Sequence, residues 1–438
     1  MKVVVLGGGS TGEAFAFALR RLDEEVSITV VEQELLGGEC TYFACMPSKT
    51  LLRSPELLYS ARRAPGVAEA VTGQLDPERI FWWRDQVVDN LDDAEHAQYL
   101  SERRIEVVRG RGVVSAPGRI AVGEQELQFD RLVVATGSVP SIPPVEGLAE
   151  LDYWTSRDAT LVRAVPASLV VVGAGPVGCE LAQFFRRLGS EVVLLDVVDR
   201  VLPRDDPEAS ALLAEQLAED GVELRLAAKT ERVEPGFRLA LESGDTIEAE
   251  RLLVATGRRA NANGLGLEQL GVEISKRGIE VDDRLRAAEN VWAIGDVNGI
   301  AQLTHLGKYQ GRVAAADVAG LGARADYRAI PAVTFTDPQV ASVGRTEGEG
   351  LVSGRWRLPA RMSTYERPRR PGFLKLFADP ELAVVVGGVA VGPEAGEWLQ
   401  QVTLAIRAEV PIDVLRDTIQ PYPTFSEAVH FAARELPL

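Results

Sequence analysis

The chain has 438 residues, of which 46% are hydrophobic and 25% charged, with a formal net charge of −17; that allows about three soluble globular domains of ~100–200 residues each. The acidic balance and the lack of any basic run argue against nucleic acid and anionic membranes as partners, and no stretch approaches the ~20 apolar residues of a membrane span. The opening MKVVVLGGGSTG has too short an apolar run for a signal peptide, and three cysteines cannot build a disulfide framework, so a reducing cytoplasm is the expected location.

In chain order, KVVVL (2–6) reads as a parallel strand buried on both faces. Gly7, Gly9 and Gly12 follow as G-x-G-x-x-G and lead into a helical run, EAFAFALRRL. A second apolar run ends at Glu32, 20 residues after Gly12, where a dinucleotide-binding unit places the acid that meets a ribose. The glycines let backbone approach a pyrophosphate at a helix N-terminus, whose unpaired N–H groups attract the anion. Next comes GGECTYFACMPSK (37–49), with two of the three cysteines, Cys40 and Cys45, five positions apart. A helix-rich segment (50–104) and short strands (105–134) follow.

The pattern then recurs. SLVVVGAGPVGCELAQFF (168–185) carries Gly173, Gly175 and Gly178, and the next strand ends in Asp196. Each fingerprint is followed by a near-identical decapeptide, RLVVATGSVP (131–140) and RLLVATGRRA (251–260). The chain therefore holds two related dinucleotide-binding units with different insertions. Pro-rich 138–147 reads as the way out of the first unit, 257–263 as the return, and NVWAIGD (290–296) as a strand ending in Asp296. The last 110 residues predict an α+β domain without a nucleotide fingerprint.

An undistorted helix would separate Cys40 and Cys45 by about 7.5 Å of rise, beyond the ~4.4–6.8 Å Cα separation of a disulfide. Pro47 lacks the N–H that would bond the carbonyl of residue 43, so the turn can open. Two readings stand: a pair of small buried hydrophobes, or a redox pair beside a nucleotide site. Electron transfer between a flavin and a dithiol would also need a nearby cation. Lys49 lies one turn past Cys45, and Glu180 is a candidate counter-charge.

GGECTYFACMPSK strongly resembles the redox-disulfide motif of the FAD-dependent pyridine nucleotide–disulfide oxidoreductases, and the resemblance extends over nearly the whole chain. It implies an α/β protein with two Rossmann-like domains, the second inserted in the first, and a C-terminal α+β dimerisation domain. The expected boundaries are 1–145 and 259–328 for FAD, 146–258 for NAD(P)H and 329–438 for the interface of a homodimer. It implies Cys40 as the interchange thiol that meets substrate, Cys45 as the flavin-proximal thiol of a charge-transfer complex, and Lys49 with Glu180 as the ion pair near the flavin. Gly7, Gly9, Gly12, Glu32, Thr136, Gly137, Asp296 and His305 are the expected FAD residues, with Asp296 at the ribityl chain. Gly173, Gly175, Gly178, Asp196 and Gly257 are those for NAD(P)H. Asp196 favours NADH over NADPH, because an acid there hydrogen-bonds a ribose hydroxyl and repels a 2′-phosphate. Arg200, four residues on, could oppose that preference.

The chain departs from the family at Tyr42 and Ala44, and more consequentially in QPYPTFSEA (420–428). There the family has a histidine that takes and returns the proton of the interchange thiol; here Tyr422 occupies that position and Glu427, its orienting acid, remains. Tyrosine does not titrate near neutral pH. Mercuric reductases share a tyrosine in this region, but their C-terminal cysteine pair has no counterpart after Cys179, which is expected to be core. Of the three histidines, His96 reads as surface and His430 shares a helix face with Glu427; no cluster suggests a metal site. The expected activity is NAD(P)H-driven transfer through Cys40–Cys45 to a small-molecule or thiol/disulfide acceptor of atypical kind. The alternatives are a reductase of quinones or metal ions and a non-catalytic flavoprotein sensor or subunit.

Overall fold

The computed structural model describes residues 1–358 and 372–438. The chain divides into two compact units, 1–48 with 82–141 and 257–326, and 49–81 with 142–256 and 327–438. No helix among the described residues is long and apolar enough to cross a membrane.

In the first unit, strand Lys2–Leu6 is buried from its second residue on and sits at the centre of a six-stranded sheet. It pairs in parallel with Ser27–Glu32 on one side and with the decapeptide strand Arg131–Val134 on the other. Ile105–Arg109 extends one edge, and Val291–Ala293 with Arg286–Ala288 the other. Helix Ser10–Leu22 packs on helix Thr304–Val318, and the two with the sheet enclose a core around Val5, Phe15, Leu19, Val30 and Trp292.

The second unit repeats this plan. Strand Ser168–Val172 pairs in parallel with Glu191–Leu195 and with the second decapeptide strand, Arg251–Val254. Helix Pro176–Arg187 follows its fingerprint and buries Cys179, Leu181, Phe184 and Phe185. The same unit holds an antiparallel five-stranded sheet in the order Pro331–Thr334, Gln339–Gly344, Val384–Gly392, Phe373–Asp379, Val352–Arg357. Helices Gln400–Arg407 and Glu427–Arg434 cover it through Val402, Ile406, Val429 and Ala432.

Candidate active site

In the first unit the fingerprint turn is tight. A Cβ on Gly12 would lie 2.0 Å from the Gly7 carbonyl oxygen, so only glycine permits this approach of helix to strand. Glu32 is buried; its Oε2 accepts from Gly8 N (2.6 Å) and its Oε1 from Glu34 N (2.7 Å), while burial pushes its carboxyl up. A closed glycine turn at a helix N-terminus with a buried acid beside it fits the phosphate and ribose of a dinucleotide. The loop that carries the cysteines is knitted onto this turn. Gly37 N donates to Gly8 O (2.8 Å) and Ser10 N to Gly37 O (3.1 Å). Gly37 and Gly38 both have positive φ, and a Cβ on Gly38 would stand 2.7 Å from Gly9 Cα.

The helix breaks between the two cysteines. Cys40 lies in Gly38–Tyr42 and Cys45 opens Cys45–Ala61, whose third residue is Pro47, a position where a missing N–H breaks no helical bond. The two thiols are within hydrogen-bond reach of one another. That bond, then burial, pushes the Cys40 thiol far up, while the Thr304 hydroxyl and the Lys308 ammonium pull it the other way. Cys45 Sγ is 3.4 Å from Thr304 Oγ1. Thr304 is the first residue of helix Thr304–Val318, so the thiol pair borders the positive end of a 15-residue helix, which favours a thiolate. Tyr42 is fully buried and donates to Asp92 O (3.1 Å).

Asp296 accepts from Ser138 Oγ (2.6 Å), and burial pushes its carboxyl up. Thr136 Oγ1 donates to Asn261 O (2.7 Å). His305 is exposed at the second residue of its helix. His96 is not the surface side chain its acidic neighbourhood suggests. Its Nδ1 lies 2.8 Å from buried Glu13 Oε1, and a Cβ on Gly37 would come within 2.8 Å of its ring.

In the second unit, Lys49 Nζ bonds Glu180 Oε2 at 2.7 Å, and Glu180 is 4% exposed. Its other oxygen accepts from Phe335 N (2.8 Å), and the ammonium stands 4.7 Å from the Phe335 ring centroid. The second fingerprint repeats the first: a Cβ on Gly178 would lie 1.8 Å from Gly173 O, and Asp196 accepts from Ala174 N (2.7 Å) and Val198 N (3.0 Å). Arg200 donates to Pro203 O (2.7 Å). Gly257 has φ +108°, and a Cβ there would meet nothing described within 4 Å. Cys179 is buried and donates to Ala174 O, as a core residue does.

Near the C-terminus Tyr422 is 68% and Ile419 95% exposed. Glu427 opens helix Glu427–Arg434, with its Oε2 3.5 Å from Thr424 N. His430 lies on the same helix, edge-on to Phe431, and its buried Nδ1 has no hydrogen-bond partner among the described residues. Sequence reasoning missed Thr304, Lys308, Ser138 and Arg258. The signal for the first two was the helix start at LTHLGKYQG; that for the last two lay in the decapeptides.

Residues 1–319 match the family described as pyridine nucleotide-disulphide oxidoreductase, and residues 330–433 its dimerisation domain. Dihydrolipoyl dehydrogenase of Thermus scotoductus is 34% identical, over 99% of this chain and 97% of its own. Mercuric reductase of Lysinibacillus sphaericus is 31% identical, over 98% and 82%. The crystal structure of LpdA from Mycobacterium tuberculosis aligns with a TM-score of 0.87 at 30% identity over 99% of both chains. The Cu(II) complex of the flavoprotein disulfide reductase RclA from Escherichia coli aligns at 0.86 and 25% identity, over 99% and 98%. With both of its parts matched and its fingerprints and thiol pair built as described, the chain belongs to the FAD-dependent pyridine nucleotide–disulfide oxidoreductases, enzymes that use NAD(P)H as electron donor.

Proposed function

We propose that this chain, as a homodimer, passes electrons from NADH through Cys40 and Cys45 to an acceptor whose reduction needs no imidazole base. Tyr422 carries this reading: it occupies the family's histidine position and is 68% exposed, and none of the three histidines lies in the 420–428 segment. FAD, when bound, supplies the two-electron relay between the nicotinamide and the thiol pair. The residues around it have separate tasks. Gly7, Gly9, Gly12 and Glu32 would seat its adenosine diphosphate half, and Asp296 would accept from the ribityl chain. Cys40 attacks the acceptor, and Cys45 remains behind as the inner thiol, held by the Thr304 hydroxyl and the helix N-terminus. Lys49, fixed by Glu180, supplies the cation. Asp196 favours NADH, and the engagement of Arg200 by the Pro203 carbonyl removes the nearest candidate for binding a 2′-phosphate.

The test has two parts. Cys45→Ala should abolish the long-wavelength thiolate-to-flavin band that appears on two-electron reduction of the wild type. An NADH-driven screen of disulfides, quinones and metal ions should find an acceptor other than lipoamide or glutathione disulfide that turns over as fast as the flavin is reduced. A band unchanged in Cys45→Ala, or full-speed turnover of a small disulfide at neutral pH, would sink the reading. Metal ions have a specific claim within that screen, since curated relatives at 31–33% identity over at least 97% of this chain are named mercuric reductases.

A further inference from the structure

The two decapeptides RLVVATGSVP and RLLVATGRRA share their first seven positions almost completely and diverge at the eighth, where one has Ser138 and the other Arg258. Those two residues meet. Strands Ser138–Pro140 and Arg258–Ala260 pair antiparallel, and Arg258 clamps Ser138 with two bonds, Nε to Oγ (2.8 Å) and Nη2 to the carbonyl oxygen (2.8 Å). The chemistry then sets a direction. A guanidinium can only donate, so the serine oxygen accepts from it. With one lone pair engaged by the guanidinium, the serine hydroxyl is free to donate to Asp296 Oδ2, 2.6 Å away. The same Nη2 also lies 3.2 Å from Glu39 Oε1, and Glu39 immediately precedes Cys40. The cation is 19% exposed, so solvent screens it only in part.

From this chain of contacts we infer that Arg258 and Ser138 are positioning residues that hold Asp296 as an ionised acceptor for FAD, with Glu39 competing for the same cation. The inference rests on the assignment of Asp296 to the ribityl chain. Burial alone would favour the protonated carboxyl, which could offer its own proton in place of accepting one. The Ser138 hydroxyl and the Arg258 charge work against burial; the Glu39 carboxylate works with it. Arg258 therefore joins the acid of the ribityl site to the short helix that carries the interchange thiol. A local change in charge at either place is felt at the other.

The consequence is a pair of effects with opposite signs. FAD should leave the protein as pH falls through the pKa of Asp296. Arg258→Gln and Ser138→Ala remove groups that hold this pKa down, so half-release should move to higher pH and FAD should bind roughly tenfold more weakly at neutral pH. Glu39→Gln removes a repelling charge, so half-release should move to lower pH. Arg258→Lys keeps the charge and should recover part of the loss. The measurement is the fluorescence of FAD released from each holoenzyme between about pH 4 and pH 8, with Asp296→Asn as reference. Weak FAD binding without pH dependence in Asp296→Asn, together with opposite shifts in Arg258→Gln and Glu39→Gln, supports the inference. An Asp296→Asn protein that holds FAD like the wild type would overturn both the ribityl assignment and the inference. If Asp296→Asn loses FAD but the Arg258 and Ser138 variants do not, or if Glu39→Gln shifts the same way as Arg258→Gln, the inference alone falls. Ser138→Ala keeps the test decisive should the Arg258 variants fail to fold.

Discussion

The two fingerprint turns have nearly the same backbone and different surroundings. In both, the first glycine packs on the alanine of its decapeptide, with a Cβ 2.4 Å from Ala135 O in one unit and from Ala255 O in the other. In both, the strand-end acid bonds the N–H of the second fingerprint residue, Gly8 or Ala174. The middle glycines differ. A Cβ on Gly9 would meet Gly38 of the thiol-bearing loop, whereas one on Gly175 would meet nothing described within 4 Å. A covered phosphate turn suits a cofactor that stays, and an open one suits a cosubstrate that binds and leaves each cycle. The same motif can thus hold a resident or a visitor according to what lies over it.

The sharpest way to break that comparison is to overfill each turn. Gly12→Ala and Gly178→Ala put a methyl at 2.0 and 1.8 Å from backbone oxygens, so in each the helix must move off its strand. Gly12→Ala should be purified largely without FAD, whereas Gly178→Ala should keep one FAD per chain and raise KM for NADH by about 10²-fold, on the order of 3 kcal/mol. Loss of FAD from both, read as the flavin-to-protein absorbance ratio, would show that the turns are equivalent.

Next in size is Tyr422. General acid–base help is typically worth ~10²–10⁴-fold. Wild-type turnover of lipoamide should therefore lag flavin reduction by about that much near neutral pH, and Tyr422→His should recover roughly tenfold, with Glu427 left to orient the new ring. Because the neighbouring Cys45 and burial push the Cys40 thiol up, the wild-type lag should close only above the ordinary thiol range of ~8.5. Steady-state rates of both proteins across pH decide this, and an equal lag in both would end it.

A smaller effect belongs to the open turn alone. Asp196→Ser should cut the preference for NADH over NADPH by about tenfold in kcat/KM, with the FAD content unchanged. A wild type that prefers NADPH contradicts it.

The smallest belongs to the covered turn. Glu13 first, then Asp93 and Glu95, hold the His96 imidazole above its ordinary pKa, against burial. The stabilisation is therefore present in full below the unfolded-state pKa of ~6.5 and is lost as pH rises through the higher folded value. His96→Gln should lower Tm by a few degrees at pH 6 and hardly at pH 9, and a constant difference across that range would mean that the pair is not titrating.

What could be read from the sequence was chain-local. Strand, glycine turn, helix and acid follow one another within about 30 residues, and each constrains the next through backbone geometry. The Lys49–Glu180 pair was also legible, though its members are 131 apart, because a lysine beside a redox motif calls for a counter-charge and few acids sit inside a fingerprint helix. Thr304 was not, since a hydroxyl in a helix start 259 residues from Cys45 carries no mark of its partner. His96 was misread for the same reason: the acids visible around it in sequence suggested solvent, and the one that binds it, Glu13, is 83 residues away.

Ile419 and Tyr422 carry a consequence in mass action. A side chain 95% exposed in one chain gains ~1.5–3 kcal/mol if a second copy covers it fully, and the gain exists only while the copies are associated. In a homodimer whose 419–422 segments are buried on pairing, stability becomes a function of protein concentration. Tm should rise with concentration for the wild type, and less steeply for Ile419→Ser. Turnover of the acceptor per chain should fall on dilution below the dimer's Kd, while reduction of the flavin by NADH should not.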